Sequence, residues 1–453
     1  MPADLRALVD TVVLVMMENR SFDHMLGHLS AEGLVPGVDG LRPTPDPAWA
    51  NPYAGTPYLP WLRTRDDPLS CDLPHEADAV RTQLGWSDVT GSYEMNGFVE
   101  AYAAAGGCRV QGDQAEPMAV FPSAQVPVTS FLARAYCTCD RWFAPLPTST
   151  QPNKTMALTG ASPIATSGGL VRGAGPSLLD WLGARGVRWR VYHESFSFFG
   201  LYPEQLSHVA GPNFRPAAQL ALDVLQEPAE RWPEVVIVEP AYDSSERLLG
   251  RHGDDNHAPL PVGFGEAFLR RTYAALTANP DRWARTVMVL SYDEHGGFWD
   301  HVPPLRVCQP VAAAEGGMFT STGPRVPAVV ISPLVDPGSV CHEPLDHTST
   351  LQLLAERFGA PGEPYSASVA ARARQGIRSA SVAITRTAPR AGAAPPAPDT
   401  TFAPPTALGP PSAPGDAMQA AFAAAVDDFA AQQPDAARAR YPEFVQWRAT
   451  APA

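Results

Sequence analysis

Acidic and amide side chains follow two of the most apolar segments of the chain. Glu18 and Asn19 follow the run "TVVLVMM" (11–17), and Asp293 and Glu294 follow "RTVMVLSY" (285–292). A buried carboxylate without a partner is costly, so proteins usually pair it or bind a metal ion there. Carboxylate and amide oxygens are hard ligands, which suit Ca²⁺, Mg²⁺ or Mn²⁺ better than Zn²⁺. The pattern predicts a divalent metal site; the alternative is a strand end whose polar residues only cap the next helix.

The segments that must position these residues are typical of an α/β fold. Four short apolar runs, at 11–17, 234–240, 285–294 and 325–333, lack a polar face. They are therefore expected to be central strands of a parallel sheet covered on both sides. Between them lie helical patterns such as 263–280. In such sheets ligands bind at the carboxyl ends of the strands, where the four polar residues lie.

Composition excludes several classes of protein. The chain has 453 residues, 45% of them hydrophobic, and a formal net charge of -14. An acidic chain of this kind is not expected to bind nucleic acid, and it is poorly suited to simple electrostatic docking on anionic lipid. No run approaches the roughly 18 apolar residues of a transmembrane helix. The first residues, "MPADLRALVD", lack the features of a secretory signal. We therefore expect a cytoplasmic chain, with secreted or periplasmic location as the alternative.

The six cysteines are too sparse for a disulfide scaffold and show no zinc-binding spacing, so buried free thiols are expected. They are Cys71, Cys108, Cys137, Cys139, Cys308 and Cys341.

Changes in composition suggest three regions. Residues 1–385 are predicted to form the catalytic domain, with a Pro-, Gly- and aromatic-rich insertion resembling a lid at 31–130. Residues 386–415 are rich in Ala and Pro and are expected to form a linker or surface strap. Residues 416–453 are predicted to be a helical tail, capped by Asp416 and docked on the catalytic domain.

Four motifs resemble those of a known family. The sequence is similar to the bacterial phospholipase C and acid phosphatase family of phosphoesterases, which includes the plant non-specific phospholipases C. The motifs appear in the family's order: "ENRSFDHMLG" (18–27), "TQPNK" (150–154), "DEHGGFWDHV" (293–302) and "GPRVPAVVISP" (323–333).

The resemblance implies a fold, a mechanism and a set of site residues. The implied fold is an α/β/α sandwich like that of alkaline phosphatase, and the implied nucleophile is Thr150, which would form a phosphothreonine. The implied metal set is one divalent ion, most readily Ca²⁺ with Mg²⁺, Mn²⁺ or Zn²⁺ as alternatives. Its ligands would be Glu18, Asn19, Asp293, Glu294 and Thr150, and active-site histidines would be His75, His257 and His193.

One residue departs from the family pattern. Lys154 stands where the family usually has arginine, so it keeps the charge but lacks the bidentate guanidinium. This departure leaves the reaction class intact and puts the substrate preference in doubt.

Two functions share these motifs. A phospholipase C would release diacylglycerol and a phosphorylated head group, with transient contact to a membrane surface; an acid phosphatase would hydrolyse small phosphomonoesters. We favour the phospholipase. Substrate choice is expected in the insertion, where "NPYAGTPYLPWL" (51–62) offers an apolar wall or simply lid packing. A serine esterase is disfavoured because no GxSxG motif follows a strand, and a non-catalytic metal-binding module would not need Thr150.

Overall fold

A central eight-stranded sheet organises the structure, a computed structural model that describes residues 4–311, 317–392, 394–399 and 414–450. The strands are β1 (Thr11–Met17), β2 (Cys137–Cys139), β3 (Trp189–His193), β4 (Phe214–Pro216), β5 (Val235–Glu239), β6 (Thr286–Tyr292), β7 (Ala328–Ile331) and β8 (Ser339–Cys341). Their order in the sheet is β4-β3-β5-β1-β6-β7-β2-β8.

The centre of the sheet is built from the apolar runs seen in the sequence. β1 lies between β5 and β6 and is parallel to both. Every residue of β5 and β6 is buried, as expected for Val- and Ile-rich strands covered on two faces. The register pairs Met17 with Tyr292, so β1 and β6 end side by side.

One strand runs against the expected direction. β7 is antiparallel to both of its neighbours, β6 and β2, so the expectation of a parallel strand at 325–333 was wrong. Its four residues are all buried, as in the parallel strands, because a strand covered on both faces needs the same apolar side chains in either direction. The sheet is therefore mixed but mostly parallel, and the α/β/α prediction is confirmed.

Helices cover the sheet. In one group α8 contacts both α4 and α7, and another group includes α5 and α9. Among the described residues, no helix is both long and apolar enough to cross a bilayer. The longer helices are α1 (Phe22–Leu26), α2 (Ala77–Leu84), α3 (Phe98–Ala104), α4 (Pro127–Ala135), α5 (Thr150–Thr159), α6 (Leu178–Gly183), α7 (Leu220–Gln226), α8 (Gly263–Thr277), α9 (Thr348–Phe358), α10 (Ala367–Arg374), α11 (Ala417–Gln432), α12 (Pro434–Arg440) and α13 (Pro442–Thr450). Single-turn helices are Leu5–Leu8, His28–Ala31, Leu206–Val209, Asp243–Glu246 and Pro280–Trp283.

The insertion at 31–130 has its own apolar cluster, in which Val80, Phe98 and Met118 pack with Trp299. Its short strands pair as Asn51–Tyr53 with Thr56–Tyr58, Trp61–Leu62 with Ala119–Val120, and Trp86–Ser87 with Ser92–Tyr93. Outside the insertion, Trp142–Phe143 pairs with Leu345–Asp346 and Gln309–Pro310 with Met318–Phe319.

A disulfide crosses the insertion. Cys71 and Cys108 are bonded, with 5.3 Å between their Cα atoms, so the expectation of free thiols was wrong for this pair. Cys137, Cys139 and Cys341 are free and buried as expected, whereas Cys308 is free but exposed. The sequence could not reveal the pair because its members are 37 residues apart in irregular segments.

The C-terminal helices dock on the body of the protein. Asp416 caps α11 by accepting a hydrogen bond from the Gln419 backbone N–H, as predicted. Phe422 and Phe429 are buried and both contact the ring of Phe196. Of the expected strap at 386–415, residue 393 and residues 400–413 lie outside the described residues. The described part follows the surface, where Arg390 N donates to Pro333 O. The proposed domain boundaries stay a prediction.

Candidate active site

The carboxyl ends of β1 and β6 bring four predicted site residues together. The backbone N–H of Asn19 donates to Asp293 Oδ1 at 2.9 Å, and the Glu294 N–H donates to the same oxygen at 2.7 Å. Glu18 is held by a different contact, in which its backbone N–H donates to the backbone oxygen of Asp255. All four residues are at most 2% exposed. The parallel register alone explains this grouping, since each residue directly follows a paired strand.

Asn19 has an unusual backbone that depends on a glycine. Its φ is 60°, in the left-handed region that asparagine tolerates better than most residues. Its carbonyl oxygen lies close to Gly296, where an added Cβ would be 2.0 Å from that oxygen. Gly296 itself has a φ of 62°. The "GG" of the third motif therefore makes room for the turn that carries Asn19.

Thr150 begins α5 and points to Asn19. Its Oγ1 donates to Asn19 Oδ1 at 3.3 Å. The loop before the helix is held by Asn153, whose Oδ1 accepts from the Leu146 N–H and whose Nδ2 donates to Thr148 O. The "TQPNK" segment thus presents a hydroxyl at the N-terminus of a helix, where the backbone dipoles favour negative charge.

Two predicted histidines complete the cluster. The Nε2 atoms of His75 and His257 lie 3.3 Å and 3.1 Å from Asn19 Nδ2. His257 Nδ1 is 3.0 Å from Glu18 Oε2, and His75 Nδ1 donates to Leu73 O. Both side chains open on a cleft of about 440 Å³. The imidazoles therefore lie between the buried carboxylates and the space available to a substrate.

Lys154 binds a carboxylate. Its Nζ is 2.9 Å from Glu18 Oε1, an ion pair without the alignment of a hydrogen bond. The ammonium group also lies 4.3 Å from the ring centre of Tyr242 and 4.9 Å from that of Phe198. The faces of these two aromatic rings attract the ammonium group by cation–π interaction.

Burial and neighbouring charges shift the pKa values of two carboxylates in the cluster. Burial raises the pKa of Asp293 to about 7, and the negative charge of Glu18 adds to this effect. Burial also acts to raise the pKa of Glu18, but Lys154 and His257 outweigh it and lower that pKa to about 2. Asp293 is thus held near protonation mainly by its burial, and the ionised Glu18 beside it adds to the effect.

The donor set fits a hard divalent ion. One oxygen on each of Glu18, Asp293 and Glu294 is buried and accepts no aligned hydrogen bond from the described residues: Oε1, Oδ2 and Oε1 respectively. Such oxygens are normally satisfied. Lys154 already pairs with Oε1 of Glu18, so the oxygens left for a cation are those of Asp293 and Glu294. Within the described residues, the tightest groupings of metal-capable atoms are different ones: Glu18 with Asp255 and His257, Asp72 with His75 and His257, and Asp23 with Asp300 and His301.

His193 does not join this cluster. It ends β3, and its Nδ1 donates to Ser195 O while its ring faces Tyr441 and Phe214. Burial lowers the pKa of His193 to about 4. The structure gives the expected active-site role of His193 no geometric support; the residue packs under the C-terminal helices.

Two carboxylates in the site were missed in the sequence. Asp72 Oδ2 lies 3.3 Å from His257 Nε2, and Asp255 Oδ1 accepts the His257 backbone N–H at 3.0 Å. Each precedes a predicted histidine by two or three residues, in "DLPHEAD" and "DDNHAPL". That proximity was the available signal, although an acid near a histidine is common in any chain.

Asp300 and His301, near the end of the third motif, support another part of the structure. Asp300 and Asp23 both form ion pairs with the buried Arg325, and His301 Nδ1 lies 2.6 Å from Asp23. Because Arg325 already satisfies these carboxylates, the group is a buried ion-pair network that holds the start of α1.

The aromatic run at 51–62 does not line the cleft beside His75 and His257. Its residues Trp61 and Leu62 line a different cleft of about 450 Å³.

The fold and the site together define an α/β protein with a carboxylate-rich centre at the carboxyl edge of a mostly parallel sheet. Residues 9–361 match the model of the Phosphoesterase family, and the chain belongs to this family. The resemblance noted in the motifs is thereby confirmed.

Curated relatives include plant and bacterial proteins. The chain is 31% identical over 368 residues to non-specific phospholipase C1 of Arabidopsis thaliana, an alignment that covers 76% of this chain and 64% of that protein. It is 30% identical to hemolytic phospholipase C of Pseudomonas aeruginosa, covering 79% and 54%, and 28% identical to phospholipase C B of Mycobacterium tuberculosis, covering 78% and 74%. The chain thus spans a little under two thirds of the plant relative.

Solved structures with a similar fold are distant. The phosphonate monoester hydrolase of Agrobacterium radiobacter is 11% identical, with a TM-score of 0.36 and coverage of 77% of this chain and 74% of that one. A protein in the alkaline phosphatase superfamily from Vibrio parahaemolyticus is 12% identical, with a TM-score of 0.30 and coverage of 52% and 61%. The α/β/α architecture is therefore assigned from the sheet and helices described above, and not from these similarities.

Replacing Gly296 with alanine is expected to abolish metal binding at this site. The new Cβ would displace the Asn19 turn, and with it the amide and carboxylate oxygens. An ion at about 100 times its Kd stabilises a protein by about 2.7 kcal/mol, and we expect Gly296→Ala to lose most of this metal-induced gain in unfolding free energy.

Gly33→Ala is the matched control for this measurement. Gly33 also has a positive φ, 68°, but an added Cβ would meet no atom within 4 Å. It should therefore show the backbone cost alone and keep the full stabilisation by metal. An unchanged metal response in Gly296→Ala would contradict the assignment of Asn19 and its neighbours.

Proposed function

We propose that the protein hydrolyses phosphate esters at Thr150. The observation that carries this proposal is the contact of Thr150 Oγ1 with Asn19 Oδ1, made at a helix N-terminus beside Glu18 and beside Asp293 and Glu294, each of which has an oxygen with no hydrogen-bond partner among the described residues. Membership of the Phosphoesterase family and the phospholipase C names of the relatives support the same reaction class.

Thr150 is proposed as the nucleophile. Its oxygen attacks phosphorus, the bond from phosphorus to the leaving alcohol breaks, and water then hydrolyses the phosphothreonine to regenerate the hydroxyl. A divalent ion held by Glu18, Asn19, Asp293 and Glu294 would supply the positive charge that lowers the pKa of the hydroxyl and neutralises phosphoryl oxygens. The first turn of α5 adds its backbone dipoles to this stabilisation.

His75 and His257 are proposed as the proton donors to the leaving alkoxide. Although burial opposes it, the charges of Glu294 and Asp72 raise the pKa of His75 to about 9. Burial likewise opposes a raised pKa at His257, but Asp72 and Glu18 raise it well above its usual value. Both rings border the cleft, where a protonated imidazole can donate to the leaving oxygen.

The substrate is proposed to be a phospholipid, cleaved as by a phospholipase C. The relatives' names support this choice, and the open cleft of about 440 Å³ beside the histidines is large enough for more than a phosphoryl group. Acid phosphatase activity is the alternative outcome, because the site residues contact the phosphoryl group and leave the alcohol to the cleft.

A membrane-contact surface is also part of the proposal. The hairpin formed by Trp86–Ser87 and Ser92–Tyr93 exposes 41% of Trp86 and 96% of Val89. Arg306 lies 4.9 Å from the Trp86 ring. A cleft of about 620 Å³ runs from this hairpin to Pro147, in the loop before Thr150. Exposed tryptophan with a nearby cation suits the interface of a bilayer.

The Cys71–Cys108 disulfide favours an exported protein over a cytoplasmic one. Disulfides persist in oxidising compartments and are rare in the cytosol. The bond also lies next to the site, since Cys108 Sγ is 3.5 Å from the backbone oxygen of Asp72. We therefore propose that the protein acts outside the cytoplasm.

Thr150→Ala is expected to lower turnover by a factor of about 10³ or more, because it removes the nucleophile. Metal-stripped protein should be inactive and recover with one of Ca²⁺, Mg²⁺, Mn²⁺ or Zn²⁺. The assay measures diacylglycerol and phosphocholine from phosphatidylcholine, beside free phosphate from an aryl phosphate.

Thr150→Ser provides the matched comparison, since it keeps a hydroxyl at the same position and should retain measurable turnover. Intact turnover in Thr150→Ala would disprove the mechanism. Hydrolysis of the aryl phosphate with the lipid untouched would identify an acid phosphatase instead.

Replacing Trp86 and Val89 together with serine should reduce co-sedimentation with phosphatidylcholine vesicles by about threefold or more, because the apolar hairpin tip is lost. Leu222→Ser is the control, since Leu222 is 52% exposed but lies on α7 away from the hairpin. Equal binding by both variants would reject this surface.

Rapid acid quenching and alkylation of the source cells tests the compartment. We expect four free thiols per chain, because two of the six cysteines are bonded. Six alkylated thiols would place the protein in a reducing compartment and contradict export.

A further inference from the structure

The active-site cleft has a wall that lies outside the family match. The cleft is lined by His75, His257 and residues around them, and also by residues 416–419 at the start of α11. The family match ends at residue 361. The predicted site histidines and a C-terminal segment beyond the family match thus line the same space.

We propose that the first turn of α11 determines substrate specificity, by contacting the group that the substrate carries beyond its phosphoryl group. This inference rests on the proposed function, since it assigns the part of the cleft that the phosphoryl group does not fill. Asp416 and Ala417 are exposed to the cleft, whereas Met418 and Gln419 are buried behind them.

The wall is held in place by contacts that reach the catalytic centre. Phe422, one turn further along α11, stacks on Tyr242 with 5.8 Å between ring centres. Tyr242 in turn contacts the ammonium group of Lys154, which forms the ion pair with Glu18. On the other side, a Cβ at Gly168 would lie 3.6 Å from the Cβ of Ala417. The turn is therefore fixed relative to Thr150 and cannot easily yield to a bulky group.

The charge of the wall indicates what it accepts. Four carboxylates line the cleft, those of Asp72, Glu76, Asp243 and Asp416, together with Arg247, which pairs with Asp243, and the imidazoles of His75 and His257. The imidazoles contact Asn19 and so belong to the phosphoryl site, which leaves Asp416 as the charged group of the α11 turn. An additional negative charge on the substrate would be repelled there, whereas a cationic group would be attracted. The wall is thus expected to set both the size and the charge of the accepted group.

Binding of two small ligands to the metal-loaded full chain separates this wall from the phosphoryl site. Inorganic phosphate probes the phosphoryl site alone, and phosphocholine adds a cationic group beyond it. Ala417→Phe should weaken phosphocholine binding by about tenfold, the scale of a steric misfit in a pocket, and change phosphate binding by less than about twofold. Isothermal titration calorimetry measures both.

Ala420→Phe is the matched control. Ala420 is an exposed alanine on the same helix that does not line the cleft, so it tests any general effect of phenylalanine on α11. Phosphocholine and phosphate should both bind to Ala420→Phe as they do to the parent.

Asp416→Asn tests the charge without removing the helix cap, because asparagine is as good an N-cap as aspartate. It should weaken phosphocholine by about threefold and strengthen 3-phosphoglycerate, which carries a carboxylate, by a similar factor. High salt should diminish both changes.

Three results would overturn the inference: equal affinity of the parent for phosphate and phosphocholine, equal loss of both ligands in Ala417→Phe, or the same loss in Ala420→Phe. None of these depends on turnover. A failure of the proposed function appears instead in the Thr150 assays, so the two failures are distinguishable.

Discussion

The parallel pairing of β1 with β6 is the constraint on which the site depends. It sets the ends of two buried strands side by side, and each strand is followed by acidic residues. Burial, and then the charge of Glu18, raise the pKa of Asp293, because carboxylates buried close together repel one another. The ammonium of Lys154 and the imidazole of His257 offset the charge of Glu18. The site is thus a concentration of negative charge that the sheet creates and the surrounding residues offset.

Much of the fold could be predicted because the central strands are apolar on both faces. β1, β5 and β6 were found in this way, and the ends of β1 and β6 located the acids that are proposed to bind metal. The direction of β7 could not be found, because an antiparallel strand buried on both faces has the same apolar composition. β2, β3, β4 and β8 are short or carry polar residues such as Thr138, Arg190 and Arg215, so periodicity did not reveal them.

The site was only partly predictable, for a different reason. Thr150 and His75 lie at a helix start and in a loop, where no periodic pattern applies, and only the resemblance to the family identified them. Asp72 contacts His257, which is 185 residues away in sequence, and a single sequence does not show such a contact. Asp255 contacts the backbone of His257 only two residues away, but an acid near a histidine is common in any chain. The expected active-site role of His193 came from the resemblance to the family, and the structure places this residue elsewhere: its strand lies two positions from β1 and its ring contacts Tyr441.

The long separation between the strands of the site also affects how the native state is lost. Asn19 and Asp293 are 274 residues apart, so their contact closes only when most of the chain has assembled. Long-range parallel pairing of this kind forms slowly. A metal ion that needs both strand ends has no binding site in the partly folded species that form earlier. It therefore slows unfolding and does not speed folding. Bound metal would lengthen the lifetime of the folded enzyme while leaving the folding rate nearly unchanged.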